Sequence, residues 1–112
     1  MAKEYTPDLQ KLFLEMMMQD AQNYVRVQNI FNPENFDRSL KETATFIAEH
    51  STKHATLPTY EMVKANVGVE LKPIPDMLDG HNDWFMVEFE SFTKRQELER
   101  AILKSADMLE KG

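Results

Sequence analysis

The segment of residues 30–67 constrains the fold most, because turn and connector signals divide it into short helical pieces. Pro33 fixes its own φ and disfavours helix at the residue before it, so residues 32–35 predict a turn. Leu57 precedes a proline, which makes residues 55–58 extended. The parts on either side of this connector are short helices rather than one long one.

Both helices of this segment have recognisable ends. Asp37 caps the first helix, which is predicted to fray near His54. Thr59 caps a second helix over residues 60–67, and Gly68 stops it. The apolar positions predicted to face inward are Leu40, Ala44, Ile47 and Ala48 in the first helix, and Met62, Val63 and Val67 in the second.

Two helices are predicted before this segment. Thr6 caps the first and Pro7 occupies its first turn, and the helix runs to about Gln19. Its sequence is apolar on almost every side, which is typical of a central helix. Asp20 caps the second helix, which is predicted to reach about Ile30.

The region of residues 69–79 is the hardest to interpret. Pro73 and Pro75 exclude a long helix and a central strand, although a short helical turn at residues 75–78 fits the pattern. Residues 79–80 form an Asp-Gly pair, which predicts a turn.

A long final helix is predicted to follow, capped by Asn82 or Asp83 and reaching about Glu110. Its apolar residues form one stripe of Phe85, Phe89 and Phe92 and a second of Leu98, Ile102, Ala106 and Leu109. The first stripe is predicted to enter the core. The second is either the edge of a partly exposed helix or a surface for another helix, from a neighbouring subunit or from further chain.

Length and composition fit one domain over residues 1–112. With 42% hydrophobic residues the chain can bury a core. It has no cysteine, which fits a reducing compartment, and its net charge of −6 argues against a general nucleic-acid footprint. No apolar run is long enough for a bilayer, and the polar first residues do not resemble a secretory signal. We therefore expect an all-α fold of five to six helices, arranged compactly and orthogonally, with a long C-terminal helix.

Few residues suggest chemistry. His50 and His54 share a helix face, but Ser51 stands where a zinc-protease motif needs glutamate, so solvated histidines are the better interpretation. The chain has no phosphate-binding glycine loop. We predict no catalytic residue, no metal site and no cofactor in this chain.

Charged groups near the C terminus allow two other interpretations. The carboxylates of Glu88, Glu90, Glu97 and Glu99 could form an acid–base pair, and Lys94, Arg95 and Arg100 with Phe92 could contact nucleic acid. Because acidic and basic residues are mixed along this part of the helix, a solvent-exposed face with ion pairs within the helix explains them better. Trp84, near the helix start, is more typical of a core residue than of a stacking platform.

The order of these elements resembles a known family. Four segments carry the resemblance: residues 12–20 (LFLEMMMQD), 29–36 (NIFNPENF), 57–63 (LPTYEMV) and 84–103 (WFMVEFESFTKRQELERAIL). In this order they are similar to the N-terminal domain of replicative DNA helicases of the bacterial DnaB type, in particular the divergent versions encoded by T4-like phages. The resemblance spans nearly the whole chain.

The resemblance implies a collar domain that supports ring assembly and contacts primase and helicase loader. The ATPase module, with its ATP and magnesium, would lie outside this chain, which would be a fragment or a stand-alone relative and not an enzyme itself. It also implies self-association as a dimer or within a hexameric ring, through Leu98, Ile102, Ala106 and Leu109, with residues 98–112 leading into a helical hairpin. The implied location is the cytoplasm of a bacterial host, without direct DNA binding or membrane contact.

Two other hypotheses remain. The chain could be a stand-alone phage adaptor or regulator that binds a host protein, or a metal-dependent helical enzyme using His50 and His54.

Overall fold

The described part of the protein contains five α-helices, with one short 3-10 turn (Pro33–Asn35) between the second and the third. The structure, a computed structural model, describes the backbone of residues 4–111 and the side chains of residues 4–106. The α-helices are α1 (Pro7–Gln19), α2 (Ala21–Val27), α3 (Arg38–His54), α4 (Tyr60–Val67) and α5 (Asp79–Lys111). No strand occurs in the described backbone, which confirms the all-α class with a long C-terminal helix.

Side-chain caps begin α1 to α4 at the predicted residues. The backbone N–H groups of Leu9, Gln22, Ser39 and Met62 donate to Thr6, Asp20, Asp37 and Thr59, over 3.3, 3.0, 3.0 and 3.1 Å respectively. Each bond satisfies a donor that the first turn of a helix leaves without a partner. The caps are local, so the sequence alone fixes these helix starts.

Two helices end in the left-handed region. Ala55 follows α3 with φ 57°, and Gly68 follows α4 with φ 74°. Glycine adopts this conformation without a steric penalty. For alanine the same conformation is strained. The predicted ends of both helices, near His54 and at Gly68, are confirmed.

The core is an aromatic cluster centred on Phe13 of α1. Its ring lies 5.9, 5.6 and 5.6 Å from the rings of Phe85, Phe89 and Phe92 on α5. Phe36, after the 3-10 turn, adds an edge-on contact to Phe92 at 5.3 Å. The prediction that α1 is central and that the phenylalanine stripe of α5 enters the core is confirmed.

The irregular segment of residues 69–78 is held by side chains of α1. Glu15 accepts the N–H of Lys72 at 2.7 Å, and Gln19 accepts the N–H of Ile74 at 3.1 Å. These acceptors replace the partners that a strand or helix would provide for the backbone.

The predicted start of α5 is wrong. We expected a turn at residues 79–80 and a cap at Asn82 or Asp83, but the helix begins at Asp79. Asn82 is the fourth residue of α5, and its Oδ1 accepts a hydrogen bond from the Nδ2 of Asn23 at 3.0 Å.

His81 is the third residue of α5, and its side chain makes the return contact of a capping box to Leu78, the residue before the helix. The Leu78 carbonyl accepts the N–H of His81 at 2.9 Å, and the Nδ1 of His81 accepts the N–H of Leu78, also at 2.9 Å. Gly80 imposes no turn, since its backbone is helical and its φ is not positive. The helix therefore starts three residues before the expected cap.

Three smaller predictions are also wrong. The helical part of α2 ends at Val27, and residues 28–30 form a turn. Only Pro75 and Asp76 form a turn where a helical turn was expected at residues 75–78. Met62 is partly exposed rather than inward, because its sulfur accepts the N–H of Thr59 at the helix start.

Candidate functional site

Helix α5 divides into two parts with different surroundings. Residues 4–78 and the part of α5 packed on them form the head, where the phenylalanine stripe is at most 1% exposed. Every described side chain from residue 97 to residue 106 is exposed. We call residues 98–106 the distal segment of α5.

Two hydrogen bonds hold the helix where it leaves the head. The Nε2 of Gln96 donates to the Asn35 carbonyl at 2.8 Å, and the Nη2 of Arg100 donates to the Oδ1 of Asn35 at 2.6 Å. Asn35 is itself 1% exposed, and its Nδ2 has no hydrogen-bond partner. Among the described side chains of α5, Arg100 is therefore the last that joins the helix to the 3-10 turn.

From the sequence, Arg100 was expected on a solvent-exposed face with ion pairs within the helix. The structure bears this out for Arg95, whose Nε lies 3.4 Å from the Oε1 of Glu99 one turn later. Arg100 instead contacts a residue 65 positions earlier in the chain. No local pattern in the sequence indicates such a contact.

The predicted interface residues are exposed as far as they are described. Leu98 is 61% exposed, Ile102 is 58% exposed, and Ala106 is also exposed. Ala106 lines a shallow apolar depression together with Ala101, Ile102 and Ser105. The side chain of Leu109 lies outside the described residues.

Two further exposed apolar residues, in the first part of α5, were not predicted. Trp84 is 37% exposed and Val87 is 65% exposed. At about 100° per residue, both lie on the same side of the helix as Leu98 and Ile102, roughly 130° around the axis from the phenylalanine stripe. We call Trp84, Val87, Leu98 and Ile102 the outer stripe. Sequence reasoning missed the first two because they stand among core phenylalanines.

A small apolar cleft lies at the start of the outer stripe. It has a volume of about 230 Å³ and is lined by Leu12, Met16, Ile74, Met77, His81 and Trp84. Trp84 closes one side of it, with its ring 6.2 Å from that of Phe13. Trp84 thus contributes both to the packing of the head and to its surface.

The two candidate metal ligands lie side by side on α3. The rings of His50 and His54 are 4.6 Å apart on α3, as their spacing predicts. Among the described residues there is no group of three or more histidine, cysteine, aspartate or glutamate side chains that could hold a metal ion.

The pKa changes have structural causes. The Ser39 hydroxyl and backbone N–H lower the pKa of the Asp37 carboxyl, which is the cap of α3. Burial raises the pKa of Tyr60, and the charge of Glu15 adds to that effect. The Tyr60 hydroxyl donates to Gln19 at 3.2 Å, so it links α4 to α1.

The outer stripe exposes apolar side chains along one side of α5. None of the described helices is long and apolar enough to cross a membrane. No protein-family model, no curated protein and no solved structure matches this chain.

Proposed function

We propose that this chain is a protein-interaction and oligomerisation domain, namely the N-terminal collar domain of a replicative DNA helicase. The observation that carries the proposal is the exposure of Leu98 and Ile102 on the distal segment of α5. Burying such a side chain gains about 1.5–3 kcal/mol. Apolar residues at helical spacing on an otherwise charged helix are typical of a surface that binds another helix.

Support for the helicase assignment comes from the order of the elements. The four segments that carry the resemblance coincide with α1, with the corner that includes the 3-10 turn, with the start of α4 and with α5. In a helicase, such a domain supports ring assembly and contacts primase and helicase loader. ATP hydrolysis and tight DNA binding are then functions of other parts of the parent protein.

The interaction part of the proposal is tested by sedimentation of the full chain and of Ile102→Glu. We expect the wild type to self-associate with rising concentration and the variant to shift towards monomer, because a buried, unpaired carboxylate is costly. Leu103→Glu is a matched control. Leu103 is 69% exposed at the same end of the helix, but it lies on the phenylalanine side and not in the outer stripe.

Equal behaviour of Ile102→Glu and Leu103→Glu would contradict a role for the outer stripe. The helicase part is tested separately, by reading the encoding gene beyond Gly112. A P-loop ATPase in the same frame supports the collar assignment, and a stop without one favours the stand-alone phage adaptor instead.

A further inference from the structure

Along the axis of α5, the outer stripe is arranged almost symmetrically about the level of Thr93, whose own side chain is buried against the head. Trp84 and Ile102 lie nine residues before and after it, and Val87 and Leu98 lie six before and five after. Because the helix rises about 1.5 Å per residue, a reversed copy crossing at Thr93 brings Trp84 opposite Ile102, and Val87 opposite Leu98. The apolar side chains of one outer stripe therefore lie opposite the apolar side chains of the outer stripe on an antiparallel second copy.

The charges of α5 have the same reversed complementarity. From residue 79 to residue 93 the helix carries Asp79, Asp83, Glu88 and Glu90 and no lysine or arginine. From residue 94 to residue 106 it carries Lys94, Arg95, Arg100 and Lys104 against Glu97 and Glu99. An antiparallel pair places the acidic half on the basic half, whereas a parallel pair places like charges together.

We propose that the outer stripe binds a second copy of this chain, with the two α5 helices antiparallel and crossing near Thr93. The inference rests on the proposed function, because it names the partner of the same surface and adds Trp84 and Val87 to it. The pairing is isologous, so each contact occurs twice.

Charged residues beside the stripe complete the interface. Glu88 lies within a turn of the partner's Arg95, and Glu90 within a turn of the partner's Lys94. Arg95 also pairs with Glu99 of its own helix at 3.4 Å. Since a guanidinium has five N–H donors, it can serve both carboxylates.

Disulfide cross-linking tests the register, and the absence of natural cysteines makes each introduced thiol unique. Val87→Cys and Leu98→Cys are prepared as separate full-length proteins with tags of different mass. We expect a disulfide between the two variants when they are mixed and little within either variant alone, because a disulfide needs Cα atoms about 4.4–6.8 Å apart.

The other results overturn the inference in distinguishable ways. Self-linking of each variant means a parallel pair. Linking of Leu98→Cys to Ile102→Cys, but not to Val87→Cys, means that only the distal segments pair, which retains the proposed function without this register. A wild-type chain that stays monomeric at high concentration overturns both.

A charge exchange gives an independent measure. Glu88→Arg alone should weaken dimerisation about threefold to tenfold, because two ion pairs are lost per dimer. Adding Arg95→Glu to the same chain should restore it, since the exchanged pair has the same geometry. Failure of the double variant to recover would contradict the antiparallel contact.

Discussion

The two parts of α5 have similar apolar residues and opposite environments. Phe85, Phe89 and Phe92 are buried against α1, whereas Leu98, Ile102 and Leu103 are all more than half exposed. The helix continues through both parts without a break. Apolar periodicity therefore identifies the residues that can be buried, but the presence of a neighbouring element decides which of them are buried within one chain.

The largest expected effect compares one residue from each part. Phe89→Ala should lower the free energy of unfolding by about 3–5 kcal/mol, because it leaves a cavity among several rings. Ile102→Ala should change it by less than about 0.5 kcal/mol in dilute protein. Urea denaturation measures both. If Phe89→Ala does not fold, the milder Phe89→Leu replaces it. Equal effects at the two positions would remove the distinction between the parts.

The next effect lies at the boundary between the parts. Arg100→Ala should cost about 1–3 kcal/mol, because the Oδ1 of the buried Asn35 loses its donor. Arg95→Ala is the control, with an expected cost of at most about 1 kcal/mol, since its ion pair with Glu99 is exposed and its guanidinium lies 6.0 Å from the ring of Tyr5, which is only partly buried. Thermal unfolding of both variants checks the order. A larger loss for Arg95→Ala would contradict the anchor at Arg100.

A glycine comparison concerns the end of α4 and the start of α5. Gly68→Ala should destabilise by about 1 kcal/mol, because φ 74° is strained for alanine. Gly80→Ala should stabilise by up to about 1 kcal/mol, because Gly80 lies within the helix and has open space for a methyl group. Denaturant midpoints measure both changes. A stabilising Gly68→Ala would contradict the left-handed end of α4.

The smallest effect concerns the cap of α3, two residues after the Asn35 that binds Arg100. Asp37→Ala should cost about 0.5–1 kcal/mol at neutral pH. Hydrogen bonds from Ser39 lower the pKa of this carboxyl from 3.8, so the folded state binds fewer protons. Its contribution is present above pH 3.8 and is lost as the pH falls through the lowered pKa.

Stability measured between neutral pH and pH 3 tests this sign. The difference in the free energy of unfolding between wild type and Asp37→Ala should become smaller in acid. Asp37→Asn keeps an acceptor without a titrating group, so its gap to Asp37→Ala should stay constant. A gap between wild type and Asp37→Ala that widens in acid would contradict the assignment.

The sequence was most informative where structure is local. Thr6, Asp20, Asp37 and Thr59 cap their helices as predicted, because a cap needs only a side chain and the next few N–H groups. The spacing of three phenylalanines was enough to predict the buried face of α5.

Longer-range features could not be predicted in the same way. The early start of α5 depends on His81 reaching back to Leu78. The anchor between Arg100 and Asn35 joins residues far apart in the chain. The candidate surface was half predicted, since Leu98 and Ile102 were named and Trp84 and Val87 were not. Trp84 lies beside residues of α1 and of the segment of residues 69–78, and periodicity does not show how much of its surface they leave exposed.

The unbroken course of α5 has a mechanical consequence. A helix of 33 residues is about 50 Å long, which equals the longest dimension of the molecule. A partner bound at the C-terminal end of α5 holds one end of a stiff helix whose other end is packed among the rings around Phe13. Any change in the angle of the helix at that partner therefore changes the orientation of the entire head.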